Sequence, residues 1–202
     1  MVFDYSKDYV LENEFARLSP LHPLHVHQLL PIADDPDIWK YLMEDCLDER
    51  SLKHYVRSAA TQRDKKMEYP FLVFDKMSQR AAGTTRLYEI NASLGVLKIG
   101  HTWYGSNARG SGLNKAVKYL LFQFVFDQLN FSRVGFGVHE KNKRSLSALH
   151  RLGCVKEGVL RNFLPSKDFD QRYDIVLLSL LRNEWWGKTK PFLESWIQNE
   201  LA

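Results

Sequence analysis

Polar and apolar positions change rhythm several times along this chain, and each change marks an element. Val10 to Leu18 alternates loosely and predicts a first strand. Leu24 to Leu30, Asp37 to Met43 and Glu49 to Gln62 read as short helices, punctuated by Pro31 and Pro36. Tyr69 to Lys76 and Arg80 to Ile90 alternate around a polar turn, the pattern of an antiparallel hairpin, and Leu94 to Tyr104 adds a strand. The clearest helix spans Leu113 to Leu129, where Leu113, Val117, Leu120, Leu121, Phe124 and Val125 recur on one helical face. Val134 to Val138 is a short apolar strand, and Asn142 to Leu152 is a helix stopped by Gly153. Val155 to Leu164 and Tyr173 to Leu181 close the sheet, and a Trp-rich stretch, Glu184 to Leu201, follows. The expected fold class is therefore α/β (α+β): a mixed, mostly antiparallel sheet of about seven strands with helices on both faces. There is no internal repeat, low-complexity tract or Pro/Gly/Ser linker. One domain over 1–182 is expected, with the tail 183–202 packed on it.

Composition narrows the class. The 202 residues are 45% hydrophobic and 26% charged, which suits a packed core under a polar surface. No apolar run approaches the roughly 20 residues that cross a bilayer, and Met1 to Asp8 is too polar for a signal peptide. Cys46 and Cys154 stand far apart without metal-ligand spacing, so free thiols and a cytoplasmic location are expected. His22, His25 and His27 cluster near the first helix, yet no thiol or carboxylate completes a metal site there. The net charge of +4 suits a phosphate-bearing ligand and is too scattered for nucleic acid.

The stretch that carries chemistry runs from Ile99 to Asn114: a strand, a turn holding Gly105, Gly110 and Gly112, and the start of the long helix. Glycines allow close backbone approach to a ligand, and a helix N-terminus offers free N–H groups and a positive dipole end to a pyrophosphate. There is no P-loop Gly-Lys-Ser/Thr, and no dinucleotide fingerprint with its distant acidic residue. The segment Arg109-Gly110-Ser111-Gly112-Leu113-Asn114 resembles the phosphate loop of the GNAT superfamily of N-acetyltransferases, Arg/Gln-x-x-Gly-x-Gly/Ala, with Asn114 in the last position. Asn142, Ser145, Ala148, Leu149 and Gly153 match a second element of that family. Asn142 to Ser145, Glu157 to Arg161 and Arg172 to Asp174 resemble the branch of ribosomal-protein alanine acetyltransferases.

The resemblance implies a splay between the two central strands, with the pantetheine arm of acetyl-CoA, the acetyl donor, in the gap. Trp103, Tyr104 and Gly105 would line the arm, with backbone groups of Trp103 and Gly105 bonding it like an added strand. Arg109, Gly110, Ser111, Gly112, Leu113 and Asn114 would hold the pyrophosphate, and Asn142 and Ser145 would fix the arm from the other side. A backbone N–H near Trp103 is the natural oxyanion donor. The Tyr that many members use to protonate the departing thiolate is replaced by Leu149, and the branch implies Ser145 instead. The Glu that some members carry as base is replaced by Lys98, which leaves His101, with an ordinary pKa of about 6.5, as the candidate base. Trp39, Tyr41 and Met43 stand where members place the acceptor-side helices. Lys141, Lys143 and Arg144 stand where a 3′-phosphate would be met.

An α-amine with a pKa of about 7.8 is roughly a tenth neutral at pH 7, a Lys amine less than a thousandth. A site without a strong base therefore favours a protein N-terminus or a small weak amine as acceptor. Two other readings stay open: an antibiotic or polyamine acetyltransferase, and a non-catalytic acetyl-CoA sensor. The expected partners are acetyl-CoA and an amine, with no metal, nucleic acid or membrane. Trp185, Trp186 and Trp196 would pack the tail on the domain or on a second copy in a homodimer.

Overall fold

The computed structural model describes residues 3–201; Met1, Val2 and Ala202, at the ends of the two expected segments, lie outside the described residues. Eight strands form one sheet in the order β1-β2-β3-β4-β5-β6-β8-β7. The loosely alternating first segment is a hairpin rather than one strand, β1 (Leu11–Glu12) and β2 (Ala16–Pro20). The side-chain oxygen of Asn13 accepts the N–H groups of Phe15 and Ala16 at 3.0 and 2.9 Å, and that local turn breaks the strand in two. Strands β3 (Glu68–Asp75), β4 (Arg80–Asn91) and β5 (Val96–Tyr104) follow as an antiparallel meander. Strand β6 (Arg133–His139) runs parallel to β5, β8 (Arg172–Leu181) pairs antiparallel with β6, and β7 (Val155–Pro165) closes the edge antiparallel to β8.

Helices α1 (Val26–Ala33), α2 (Pro36–Trp39) and α3 (Glu49–Asp64) cover one face of the sheet. Their core holds Leu29, Trp39, Leu52, Tyr55 and Val56 against Leu72 and Trp103. The helix expected over Asp37–Met43 ends at Trp39, whose indole N–H donates to the Ala33 carbonyl at 2.8 Å. The other face carries α4 (Leu113–Phe122) and α5 (Lys143–Arg151), packed on Phe71, Leu87, Ile99, Phe136 and Leu178. The long apolar helix therefore stops at Phe122 and continues as a π-helical segment, Gln123–Gln128. Gly153 ends α5 with φ +85°, the left-handed conformation that favours glycine.

The Trp-rich tail begins with the short α6 (Arg182–Glu184) and a π-helical segment, and continues as α7 (Lys190–Leu201). Trp185 is fully buried against Phe122 and Phe126, and its indole N–H donates to Asp127 at 2.9 Å. Trp186 and Lys190 bond the same carboxylate, at 2.8 Å each. Asp127 thus ties the tail to the end of the α4 segment.

One irregularity shapes the centre of the sheet. Thr84 faces Trp103 and Arg86 faces Gly100, so His101 and Thr102 together oppose the single residue Thr85. This bulge places His101 at φ +48°, uncommon for a side-chain-bearing residue, and bends β5. Ahead of the bulge β5 and β6 have already separated: they pair only from Val96–Lys98 to Arg133–Gly135. The edge of β5 from Ile99 to Tyr104 that faces β6 has no strand partner.

Candidate active site

The gap between β5 and β6 opens toward the glycine-bearing turn. Gly105 departs from the expectation that its backbone is free for a ligand. Its N–H donates to the Ala82 carbonyl at 2.9 Å and its carbonyl accepts from Ala108, because the chain turns out of the strand there. A β-carbon on Gly105 would stand 2.8 Å from Ile32, so glycine here lets α1 close on the turn. The Arg109 guanidinium pairs with Asp35 at 3.0 Å and donates to the Tyr104 carbonyl at 3.1 Å. Arg109 therefore braces the loop from inside, a role different from direct contact with phosphate.

Gly110 and Gly112 have φ of +82° and +85°. Among the described residues, no protein acceptor takes the N–H groups of Gly110, Ser111 or Gly112, and the Asn114 N–H lies in the first turn of α4. A β-carbon on Gly110 would meet nothing within 4 Å, so this side of the loop is open. Free N–H groups at the start of a ten-residue helix suit a pyrophosphate. Asn114 itself turns inward, its side chain accepting from the Tyr104 hydroxyl at 3.3 Å. Burial pushes the Tyr104 phenol up, so it stays neutral and serves as a donor.

Across the gap, Asn142 caps α5: its side-chain oxygen accepts the Ser145 N–H at 3.1 Å, which leaves the amide NH₂ to reach outward. Ser145 is half-buried in the first turn of α5, and Leu149 fills the core one turn on. Lys141, Lys143 and Arg144 lie beside this turn; Lys143 and Arg144 are exposed. His22 and His25 have a structural use, since their ring nitrogens accept backbone N–H groups in the turn before α1.

The α3 face of the bulge holds a polar cluster. Arg86, 4% exposed, donates to Glu68 at 2.9 Å and lies over the Tyr55 ring, yet its Nε and Nη2 meet no partner. His101 sits beside it, edge-on to Tyr88, with Nδ1 also buried and unpartnered. Burial, and then the Arg86 charge, hold the His101 pKa below the ordinary imidazole value, so the ring is neutral near pH 7. Lys98 pairs with Glu89 at 2.6 Å. Trp103 donates to the Tyr55 hydroxyl at 3.3 Å.

Three residues here escape a reading of the pattern alone. His139 ends β6 between Tyr41 and Tyr173, at ring distances of 5.1 and 4.5 Å. Its Nδ1 accepts the Lys141 N–H at 3.1 Å, so the neutral ring presents Nε2–H as a donor. Arg86 is a charge in the middle of β4, between Thr85 and Leu87, and Lys118 is a charge on the apolar side of α4. Interrupted periodicity is the signal that marks both. The tip of the β7–β8 hairpin closes over this face, with Lys167 bonded to the Trp39 carbonyl at 2.9 Å and to Asp45.

Comparison with known proteins places this geometry among relatives. Residues 16–155 match the family described as acetyltransferase (GNAT) domain. The p20 protein of Bacillus licheniformis, named an uncharacterised N-acetyltransferase, is 26% identical over 157 residues, covering 76% of this chain and 85% of its own. YdaF of Bacillus subtilis, provisionally named a ribosomal N-acetyltransferase, is 27% identical over 106 residues, 52% of this chain and 56% of its own. A crystal structure of a GCN5-related N-acetyltransferase from Brucella melitensis superposes with a TM-score of 0.86 at 25% identity, covering 94% of this chain and 86% of the other.

Proposed function

Because the chain belongs to the acetyltransferase (GNAT) domain family, whose members are acetyl-CoA-dependent acyltransferases, we propose that it acetylates an amine of low basicity: a protein N-terminal α-amine or a small weak amine. The observation that carries the reading is the unpaired edge of β5 from Ile99 to Tyr104, leading into a loop of free N–H groups. The arm of acetyl-CoA would lie along that edge, its pyrophosphate on Gly110 to Asn114 and its far side against the Asn142 amide. A β5 N–H near Trp103 would take the developing oxyanion.

Charge and proton transfer both bear on the acceptor class. On the acceptor face, Glu68, Asp45 and Asp35 are already engaged by Arg86, Lys167 and Arg109. Glu44, whose charge reaches His101, pairs with no cation among the described residues and is left to meet a positively charged acceptor. His101, held neutral, can accept a proton from an amine that is itself partly neutral at pH 7. The ribosomal assignment carried by the name of the Bacillus subtilis relative supports the same acceptor class.

Acetyl-CoA at 100 times its Kd should stabilise the protein by about 2.7 kcal/mol, a rise of roughly 5–10 °C in Tm for a chain of this size. No change at saturating acetyl-CoA would refute the reading. One assay of N-terminal peptides, polyamines and aminoglycosides should then show turnover with the peptides. Tight acetyl-CoA binding with no turnover on any amine would identify a sensor.

A further inference from the structure

Lys118 is 5% exposed and belongs to α4, yet it forms no ion pair or hydrogen bond among the described residues. Its neighbours fix where it points. One turn earlier, Asn114 bonds Tyr104 at the end of β5; one turn later, Phe122 packs edge-on to Phe136 of β6. The Lys118 ammonium lies 5.9 Å from the centre of the Phe136 ring. Phe136 is the first residue of β6 past the last β5–β6 pair, Lys98 with Gly135. The charge therefore sits at the fork where the two strands part, on the side covered by α4 and α5. Its ionisable neighbour is Cys154, whose thiol burial pushes up to about 12, so no anion balances the lysine.

The side chain is almost wholly buried although its Nζ keeps contact with solvent, and an unpaired charge held in this way still costs more than an apolar side chain of similar length. A charge kept under those conditions needs an anion that arrives with the reaction. Resting on the acetyl-CoA reading above, we propose that Lys118 is a catalytic residue that protonates the thiolate of coenzyme A as it departs. The acceptor nitrogen adds to the acetyl carbonyl carbon, the C–S bond breaks, and its electron pair remains on sulfur. The Lys118 Nζ gives a proton to that sulfur, releasing coenzyme A as the free thiol. The new amide nitrogen loses its proton to water through the base, and Lys118 regains one from water. Burial pushes the Lys118 amine down to about 8, close to the range of a thiol, so proton exchange between the two is nearly balanced.

The test needs no acceptor. The bound coenzyme A thiol is titrated by the ultraviolet absorbance of its thiolate, with desulfo-coenzyme A as the blank, after calorimetry has established binding. In the wild type the bound thiol should ionise at least one pH unit below free coenzyme A, a tenfold gain in thiolate. In Lys118→Met the shift should vanish while coenzyme A still binds and Tm is at least that of wild type; Lys118→Arg should restore it. Should Met disturb the packing, Lys118→Gln carries the same expectation. Equal thiol ionisation in wild type and Lys118→Met would overturn the role of Lys118 and leave the acetyl-CoA reading standing. Failure of coenzyme A to bind the wild type would overturn both.

Discussion

The indole of Trp196, in the last helix, lies directly on Gly112 of the phosphate loop: a β-carbon at Gly112 would stand 2.6 Å from its Cζ2. Trp196 also packs on Phe15 at a ring distance of 5.4 Å and under the Lys115 ammonium at 4.8 Å. The loop proposed to receive the pyrophosphate is thus backed by the C-terminal helix.

Gly112→Asp should accordingly do two things. The left-handed φ and the contact with Trp196 should lower stability by roughly 1–3 kcal/mol. The added carboxylate should weaken acetyl-CoA binding beyond detection by calorimetry. Trp196→Ala placed in the same chain should recover part of the stability and none of the binding. Recovery of both would show that the loop fails through packing alone.

Asp35 touches no ligand in this reading, yet it pairs with the arginine that braces the loop. Asp35→Ala should weaken acetyl-CoA binding by about 3- to 10-fold while costing at most about 1 kcal/mol of stability, since the pair is partly exposed. An unchanged Kd would mean that the loop holds its shape without the brace.

Ser145→Ala should lower kcat by about 10- to 100-fold, or roughly 1.4–2.7 kcal/mol, with little change in KM for acetyl-CoA. Equal losses in binding and turnover would make Ser145 a clamp on the ligand. The Lys118→Met variant in the same kinetic assay separates the two hydroxyl and ammonium contributions, because only the lysine should alter the ionisation of bound coenzyme A.

Asp127 gives a pH dependence with a definite sign. Partial burial raises its pKa, but hydrogen bonds from Lys190, Trp186 and Trp185 outweigh that and hold it below the ordinary carboxylate value. A carboxylate depressed in the folded state contributes stability above its unfolded pKa and loses it as pH falls through the folded one. Thermal melts should therefore show a stability loss below about pH 4 that Asp127→Asn flattens. At pH 7 the same variant should melt lower than wild type, because the tail loses its anchor. Parallel melting curves for the two proteins from pH 7 down to pH 3 would refute this.

The periodic elements were legible because alternation and helical spacing report burial directly. Val117 and Leu121, or Phe71 and Val73, face the core that their spacing anticipates. The turn at Arg109–Asn114 was legible as a strand-to-helix turn because Gly110 and Gly112 take left-handed φ there, while its phosphate-binding role belongs to the proposal. What the pattern hides is set by distance or by a single residue. The bulge at His101 adds one residue among Gly100, His101 and Thr102, where there is no alternation to interrupt. Asn13 splits the first strand through a local side-chain bond that hydropathy does not register. The bracing of Arg109 by Asp35, and the seat of Trp196 on Gly112, join residues far apart in sequence, so neither leaves a local signal. Lys118 interrupts the apolar side of α4 in the sequence, but only its neighbours place it at the fork between β5 and β6.

The three residue pairs between β5 and β6 have a mechanical meaning as well. They are a short seam between two plates: one holds β1 to β5 with α1 to α3, the other β6 to β8. A substrate arm laid along the open part of β5 would lengthen that seam, so the donor acts as a removable rib of the sheet. Release of coenzyme A would then remove that rib. Amide exchange at Ile99 to Tyr104 should slow on addition of acetyl-CoA, while exchange at Val96 to Lys98, already inside the seam, should change little.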